Sequence, residues 1–154
     1  MSGYEPSSAA LTRFFAEEEE ALDRGDLESA AELNVRMWVD GPCRAPDQVD
    51  PVVREQVRQM QLQAFAMSVP EGIESQPLAP PAIERLAEIQ SPSLIIIGDL
   101  DVPEFQSLAQ TVTDRIPGAR KVEIPGAAHL PSMEKPDVFN QIILDFFRNA
   151  APTG

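Results

Sequence analysis

The feature that most constrains the fold of this chain is the run Leu94–Ile97, in which every residue is large and aliphatic. Successive side chains of a strand point to opposite faces, so this run places apolar groups on both faces. Such runs are typical of parallel sheets, whose two faces are both covered by helices. The sequence therefore predicts an α/β fold with a buried strand over these residues.

Strand and helix patterns alternate through the second half of the sequence. A helix is predicted over Pro103–Ile116, a second strand over Lys121–Ile124 and a last helix over Pro136–Asn149. This is the order of a βαβ unit, in which a helix connects two parallel strands. Two short strands form a poor sheet, so the sequence resembles the back half of a larger one. The unpaired strand edge predicts an oligomeric or aggregation-prone chain.

Helical patterns occupy the first half. One helix is predicted over Ser8–Leu22, and a second begins after Asp26, a residue type favoured at helix N-caps. A third is predicted from Asp50-Pro51, because an N-cap acid followed by proline is typical of a helix start. Its apolar face continues to about residue 68.

The boundary between the two halves is predicted from proline content. Val69–Pro81 contains four prolines and one glycine, which predicts an irregular connector. A short helix over Ala82–Ala87 is then expected to lead into the first strand. We therefore expect a helical region over residues 1–79 and a βαβα region over residues 80–154.

Composition and charge exclude several classes of partner. The 154 residues include 12 basic and 25 acidic side chains, a net charge of −13. This charge repels nucleic-acid backbones and anionic lipid surfaces, so neither nucleic acid nor membrane is an expected partner. The single cysteine, Cys43, and the lack of a signal-like or bilayer-spanning segment predict a cytoplasmic protein. The acidic block Glu17–Glu20 points around a helix in four directions, so no metal site is predicted.

Two residues that can carry acid–base chemistry follow the two predicted strands. Asp101 comes three residues after Gly98, and His129, the only histidine, follows the second strand. A carboxylate that orients an imidazole is part of the relay that activates a nucleophile. Alternatively, Asp101 caps the next helix, Asp99 is the acid, and His129 is an ordinary core or surface residue. The residues by themselves leave these alternatives open.

The nucleophile of such a relay is not apparent in the sequence. It is expected within G-x-S-x-G, on a sharp turn between a strand and a helix. No serine in the sequence has glycines two residues away on both sides, and Cys43 has only the preceding Gly41.

Two motifs resemble the C-terminal part of an α/β-hydrolase with a helical cap. SPSLIIIGDLDVP over Ser91–Pro103 is similar to the strand and loop that bear the family's catalytic acid. IPGAAHLP over Ile124–Pro131 is similar to the loop of its catalytic histidine. The resemblance implies that Asp101 orients His129, and that Leu11–Val69 corresponds to the cap, with Met1–Tyr4 leading into it.

The resemblance implies a chain that supplies the cap, acid and histidine of a serine-type ester or lactone hydrolase without its nucleophile half. A complementing N-terminal half or self-association is the expected partner, and no cofactor or metal is required. The alternative is a non-catalytic remnant that binds a partner through its exposed sheet edge. Residues that could line a substrate pocket are Trp38 and Met37, with Phe14, Phe15, Met60 and Phe65, although their helical spacing favours an ordinary core.

Overall fold

The computed structural model describes residues 8–67 and 78–150. The chain divides between Glu84 and Arg85 into two compact units, which are described separately. This division lies a few residues after the boundary expected from the sequence. Most of the predicted connector over Val69–Pro81, the predicted Met1–Tyr4 loop and the expected end of the third helix at residue 68 lie outside the described residues.

The first unit is helical, as predicted, and its second and third helices begin at the expected capping residues, Asp26 and Asp50. Ser8, Asp26 and Asp50 each accept a backbone N–H of the first turn that follows. The second helix continues into a π-helical turn, Val35–Asp40, which the sequence pattern does not predict. The helices are α1 (Ala9–Asp23), α2 (Leu27–Asn34) and α3 (Pro51–Ala66), with short 3₁₀ turns at Pro46–Gln48 and Ala82–Glu84.

The core of this unit is smaller than the apolar pattern predicts. Its buried side chains include Leu11, Phe14, Ala30, Val35, Val39 and Val57. The prediction that Phe15 and Met60 belong to the core is wrong, because their exposed fractions are 42% and 54%. Helical periodicity predicts which residues share a face, but it does not say what covers that face.

A partly buried ion pair joins the π-helical turn to α3. The Arg54 guanidinium donates from Nε and Nη2 to the two carboxylate oxygens of Asp40, at 2.8 and 3.0 Å. Nη2 also lies 3.0 Å from Glu32 Oε1 on α2. The hydrogen bond to Asp40 is the main cause of a raised pKa for Arg54. The guanidinium of α3 therefore bonds to both α2 and the π-helical turn.

The second unit has the predicted βαβα order. Its elements are β1 (Leu94–Gly98), α4 (Pro103–Arg115), β2 (Arg120–Ile124), α5 (Pro131–Glu134) and α6 (Pro136–Ala150). The short helix α5 is not predicted by the sequence. The helix expected over Ala82–Ala87 is wrong as a single element, because two 3₁₀ turns, Ala82–Glu84 and Leu86–Glu88, replace it.

The two strands are parallel, with Leu94 opposite Arg120 and Gly98 opposite Ile124. Complete burial of β1 is not observed. Its last two residues are buried, whereas residues 94–96 are half-buried. Among the described residues β1 pairs with β2 alone, so its other edge has no strand to cover it.

The last helix presents much of its apolar face to solvent. Phe147 is 63% exposed, and Val138 and Leu144 are about half exposed. The apolar residues Phe139, Ile142, Ile143 and Phe146 of the same helix are half-buried. Within residues 8–67 and 78–150, no helix combines the length and apolar character needed to span a membrane.

Candidate active site

The loops after β1 and β2 bring Asp101 and His129 together. Both strands end at the same edge of the parallel sheet, so the loops that follow them are neighbours. His129 Nδ1 lies 2.9 Å from Asp101 Oδ2 and 3.1 Å from Oδ1. The two residues singled out in the sequence are therefore in direct contact.

Asp101 is held in a buried position by the start of α4. Its side chain is only 3% exposed, and Oδ1 also accepts the Val102 N–H at 2.7 Å. Pro103 begins α4 directly afterwards. A buried carboxylate is tolerated when hydrogen bonds replace its water shell. The N-cap residue of α4 is Val102 and no side-chain hydrogen bond caps this helix, so the capping role considered for Asp101 is wrong.

Asp99 contacts a different part of the same loop. Its Oδ1 accepts the Gly126 N–H at 2.7 Å, in the turn after β2. Gly126 has a positive φ of 71°, which glycine adopts without steric cost. Asp99 is therefore the residue that holds the turn, and Asp101 is the residue that pairs with His129.

The contact with Asp101 fixes the tautomer of His129. An ionised carboxylate only accepts hydrogen bonds, so Nδ1 carries the proton and Nε2 keeps the lone pair of the neutral ring. The ring also packs against Phe105 of α4, with centroids 4.7 Å apart and planes tilted by 56°. The His129 side chain is 34% exposed, far more than that of Asp101. This arrangement suits a general base.

Gly98 allows the histidine loop to lie against the end of β1. A Cβ at this position would lie 2.1 Å from the Ala127 carbonyl oxygen and 2.2 Å from that of Ala128. The Leu100 N–H donates to the same Ala127 oxygen at 2.9 Å. No L-residue with a side chain fits this approach. In the sequence Gly98 only marks the position of Asp101, whereas in the structure it is part of the site.

Sequence reasoning also missed three residues around the pair. Glu134 Oε1 accepts the Ala128 N–H at 2.8 Å, and the Gln106 side chain donates to the Gly98 carbonyl. Phe105 is the third. Glu134 lies five residues after His129, beyond the motif quoted above, and its position in the sequence does not reveal which atom it contacts.

The predicted substrate-binding residues belong to the first unit. Trp38 and Met37 lie in the π-helical turn and are half-buried. Trp38 Nε1 donates to Asn34 Oδ1 at 3.1 Å, and its ring packs edge-on against Phe14 with centroids 5.3 Å apart. These are packing contacts within the unit, and a role in substrate binding stays a prediction.

Cys43 is exposed and is not in a disulfide. In the ranges that the structure covers, no group of three His, Cys, Asp or Glu residues is arranged to hold a metal ion.

Comparison with known proteins identifies relatives among hydrolases. No family model matches the sequence. Over 63 residues the chain is 35% identical to the pimeloyl-[acyl-carrier protein] methyl ester esterase of Yersinia enterocolitica, and 38% identical to a putative carbamate hydrolase, RutD, of Azorhizobium caulinodans. Each match covers 41% of this chain and 24% of the relative.

Solved structures extend the similarity to nearly the whole chain. A thermophilic esterase from Thermogutta terrifontis matches 95% of it with a TM-score of 0.69 and 25% identity. MenH from S. aureus matches 96% with a TM-score of 0.64 and 21% identity. The chain spans 53% and 56% of these two proteins, about half of their length. With its helical first unit and its βαβα second unit, the chain has the fold of the C-terminal part of an α/β-hydrolase.

Proposed function

We propose that this chain supplies the acid and the histidine of a serine-type hydrolase for carboxylic esters or lactones. The observation that carries the proposal is the contact of His129 Nδ1 with both oxygens of the buried Asp101. A carboxylate fixed in this way holds the imidazole in the tautomer that accepts a proton at Nε2. The nucleophile is supplied by residues outside this sequence, since no G-x-S-x-G occurs within it.

In the proposed reaction His129 Nε2 takes the proton of a serine hydroxyl as its oxygen attacks the substrate carbonyl carbon. The resulting imidazolium returns the proton to the leaving alcohol, which leaves an acyl-enzyme. Water then attacks the acyl carbon while Nε2 takes its proton, and Nε2 returns that proton to the serine oxygen as the acyl–serine bond breaks and the acid product leaves. Asp101 stays ionised throughout and stabilises the imidazolium.

The substrate class is supported by the relatives. The names of the Yersinia and Thermogutta proteins describe ester hydrolysis, and that of RutD describes carbamate hydrolysis. These substrates share a carbonyl carbon that bears an oxygen or nitrogen leaving group. Lactones are cyclic esters and undergo the same attack. Trp38 and Met37 are the proposed contacts for the acyl part, and the helical first unit is the proposed cap.

The partner that fits this proposal is a polypeptide segment with an apolar strand followed by the nucleophile turn. The outer edge of β1 is the proposed place for that strand, because the backbone of an edge strand pairs readily with another strand. Residues 85–154 contain six basic and nine acidic residues, against six and 16 in residues 1–84. Most of the chain's negative charge therefore belongs to the helical unit, and the unit that carries β1 has a net charge of only −3.

A second candidate function is non-catalytic binding through the same edge. It is favoured by the outer edge of β1, which pairs with no strand among the described residues, and by the exposure of Val138, Leu144 and Phe147 on α6. In this candidate a second copy of the chain or a protein partner covers the surface, and Asp101 and His129 are structural.

A fluorophosphonate probe followed by intact-mass measurement tests the first candidate. The chain alone should form no adduct and hydrolyse no short-chain ester. With a segment that carries a strand and G-x-S-x-G, the segment should be labelled, and esterase activity should be lost in His129→Ala. Asp101→Asn should lower kcat by about 10⁴-fold, whereas Asp114→Asn, at an exposed residue that accepts from Gln110, should leave it unchanged.

Either of two results would contradict the proposal. A stoichiometric adduct on the chain alone would place the nucleophile within this sequence. Full turnover in a complemented His129→Ala variant would show that the imidazole does not take part. Tight binding of a complementing segment without turnover would favour the non-catalytic candidate.

A further inference from the structure

The three consecutive residues that precede His129 each form a hydrogen bond that holds the backbone in place. The Gly126 N–H donates to Asp99 Oδ1 at 2.7 Å, and the Ala127 carbonyl accepts the Leu100 N–H at 2.9 Å. The Ala128 N–H donates to Glu134 Oε1 at 2.8 Å. The first two partners belong to the loop after β1, which also carries Asp101. The third comes from the opposite direction, from α5 beyond the histidine.

The hydrogen bond from Ala128 to the Glu134 side chain closes a short loop around His129. The Glu134 N–H donates to the Leu130 carbonyl at 3.0 Å, and the Lys135 N–H donates to that of Pro131 at 2.9 Å. The backbone on the C-terminal side of His129 is therefore fixed by α5. The Glu134 side chain fixes the backbone on the N-terminal side.

The environment of Ala128 makes this contact strong. Ala128 is fully buried, so its N–H has no access to water. A buried donor that loses its acceptor is costly, and a charged acceptor forms the shorter, stronger type of hydrogen bond. Removing the Glu134 carboxylate would therefore favour a different orientation of the Ala128–His129 peptide, and the imidazole would move with it.

We infer that Glu134 is a positioning residue for His129: its carboxylate holds the Ala128 amide and thereby keeps Nδ1 against Asp101. The meaning of this inference for catalysis rests on the proposed function. The geometric part concerns a contact within this chain and is measured without any substrate.

The experiment uses the full chain labelled with ¹⁵N, in which the one histidine gives an unambiguous imidazole spectrum. The wild-type chain should show a single tautomer protonated at Nδ1 and a protected Ala128 amide. Glu134→Ala should lose the slowly exchanging Nδ1 proton, mix the tautomers and speed Ala128 exchange at least about tenfold. Glu134→Gln keeps an oxygen acceptor and should retain the wild-type pattern.

Glu123→Ala is the matched control, because it removes the same charge from an exposed residue that pairs with Lys121. It should leave the imidazole signals unchanged. The inference is overturned if Glu134→Ala keeps the single tautomer, if Glu134→Gln loses it, or if the wild-type Ala128 amide exchanges freely. The last two results decide the matter even if Glu134→Ala does not fold. Absence of esterase activity after complementation would refute the proposed function and leave these signals unaffected.

Discussion

Replacing Gly98 by alanine should destabilise the second unit and displace His129. The new Cβ would lie 2.1 and 2.2 Å from the carbonyl oxygens of Ala127 and Ala128. Both are backbone atoms, so they cannot rotate away as the end of a flexible side chain would. Relief requires the whole histidine loop to move from the end of β1.

The size of the effect follows from two contributions. Overpacking of a close contact costs about 1–3 kcal/mol. Moving the loop also breaks the hydrogen bond from Leu100 to Ala127, worth about 1 kcal/mol. The free energy of unfolding should therefore fall by about 2–4 kcal/mol, a large share of the roughly 5–15 kcal/mol typical of a domain.

A urea titration followed through the His129 imidazole signal measures this change, because the single tryptophan, Trp38, lies in the first unit. Gly118→Ala is the matched control. Gly118 has a φ of +72° with open space around its Cβ position, so alanine there adds backbone strain of about 1–2 kcal/mol and no clash. If Gly98→Ala destabilises the chain no more than Gly118→Ala does, the steric reasoning is refuted.

Three further changes test other parts of the structure. Arg54→Ala should lower stability by about 3–5 kcal/mol in denaturation followed by tryptophan fluorescence, because it leaves the Asp40 carboxylate buried without its cation. Burial opposes ionisation of Glu32, but hydrogen bonds from arginines outweigh it and lower its pKa. The stability that ionised Glu32 contributes should be complete above its unfolded-state pKa of about 4.3, and it should be lost as the pH falls through the lower folded-state pKa. Urea midpoints measured as a function of pH check this. Phe147→Ser should weaken any association through α6, measured by sedimentation velocity.

The arginine and phenylalanine changes each have a control within the chain. Arg58→Ala removes surface ion pairs with Glu28 and Glu55 and should destabilise the chain much less than Arg54→Ala does. An equal effect of the two arginine variants would contradict the assigned role of the partly buried pair. A urea midpoint that rises as the pH falls from 5 to 3 would contradict the pKa direction of Glu32. Val52→Ser replaces an apolar side chain on α3 that is 70% exposed, and it should leave sedimentation unchanged. If the wild-type chain stays monomeric at high concentration, the Phe147 prediction is wrong.

Local signals in the sequence were sufficient for most of the elements. Capping acids and proline at Asp26 and Asp50-Pro51 set helix starts through contacts that span only a few residues. The aliphatic run of β1 and the helical periodicity of α4 and α6 are equally local. The parallel pairing of β1 with β2 followed from their order, because strands joined by a helix are normally parallel.

Burial could not be read from the same patterns. Phe15 and Met60 lie on predicted apolar faces, yet both are exposed, because burial depends on what packs against a face. The same holds for β1, whose sequence suits a strand covered on both faces although its first residues are half-buried.

By itself, the sequence determined that a carboxylate and the only histidine follow two parallel strands, and that both loops therefore end at one edge of a sheet. Only the tertiary structure decided which carboxylate meets the imidazole. Asp99 and Asp101 are two residues apart, and the loop after β1 directs Asp99 to the Gly126 amide and Asp101 to His129. Only the structure also showed that Gly98 and Glu134 hold the histidine loop, since both contacts join residues whose distance depends on how the backbone folds back. Sequence spacing fixes the order of these groups along the chain, but hydrogen-bond geometry in space fixes their partners.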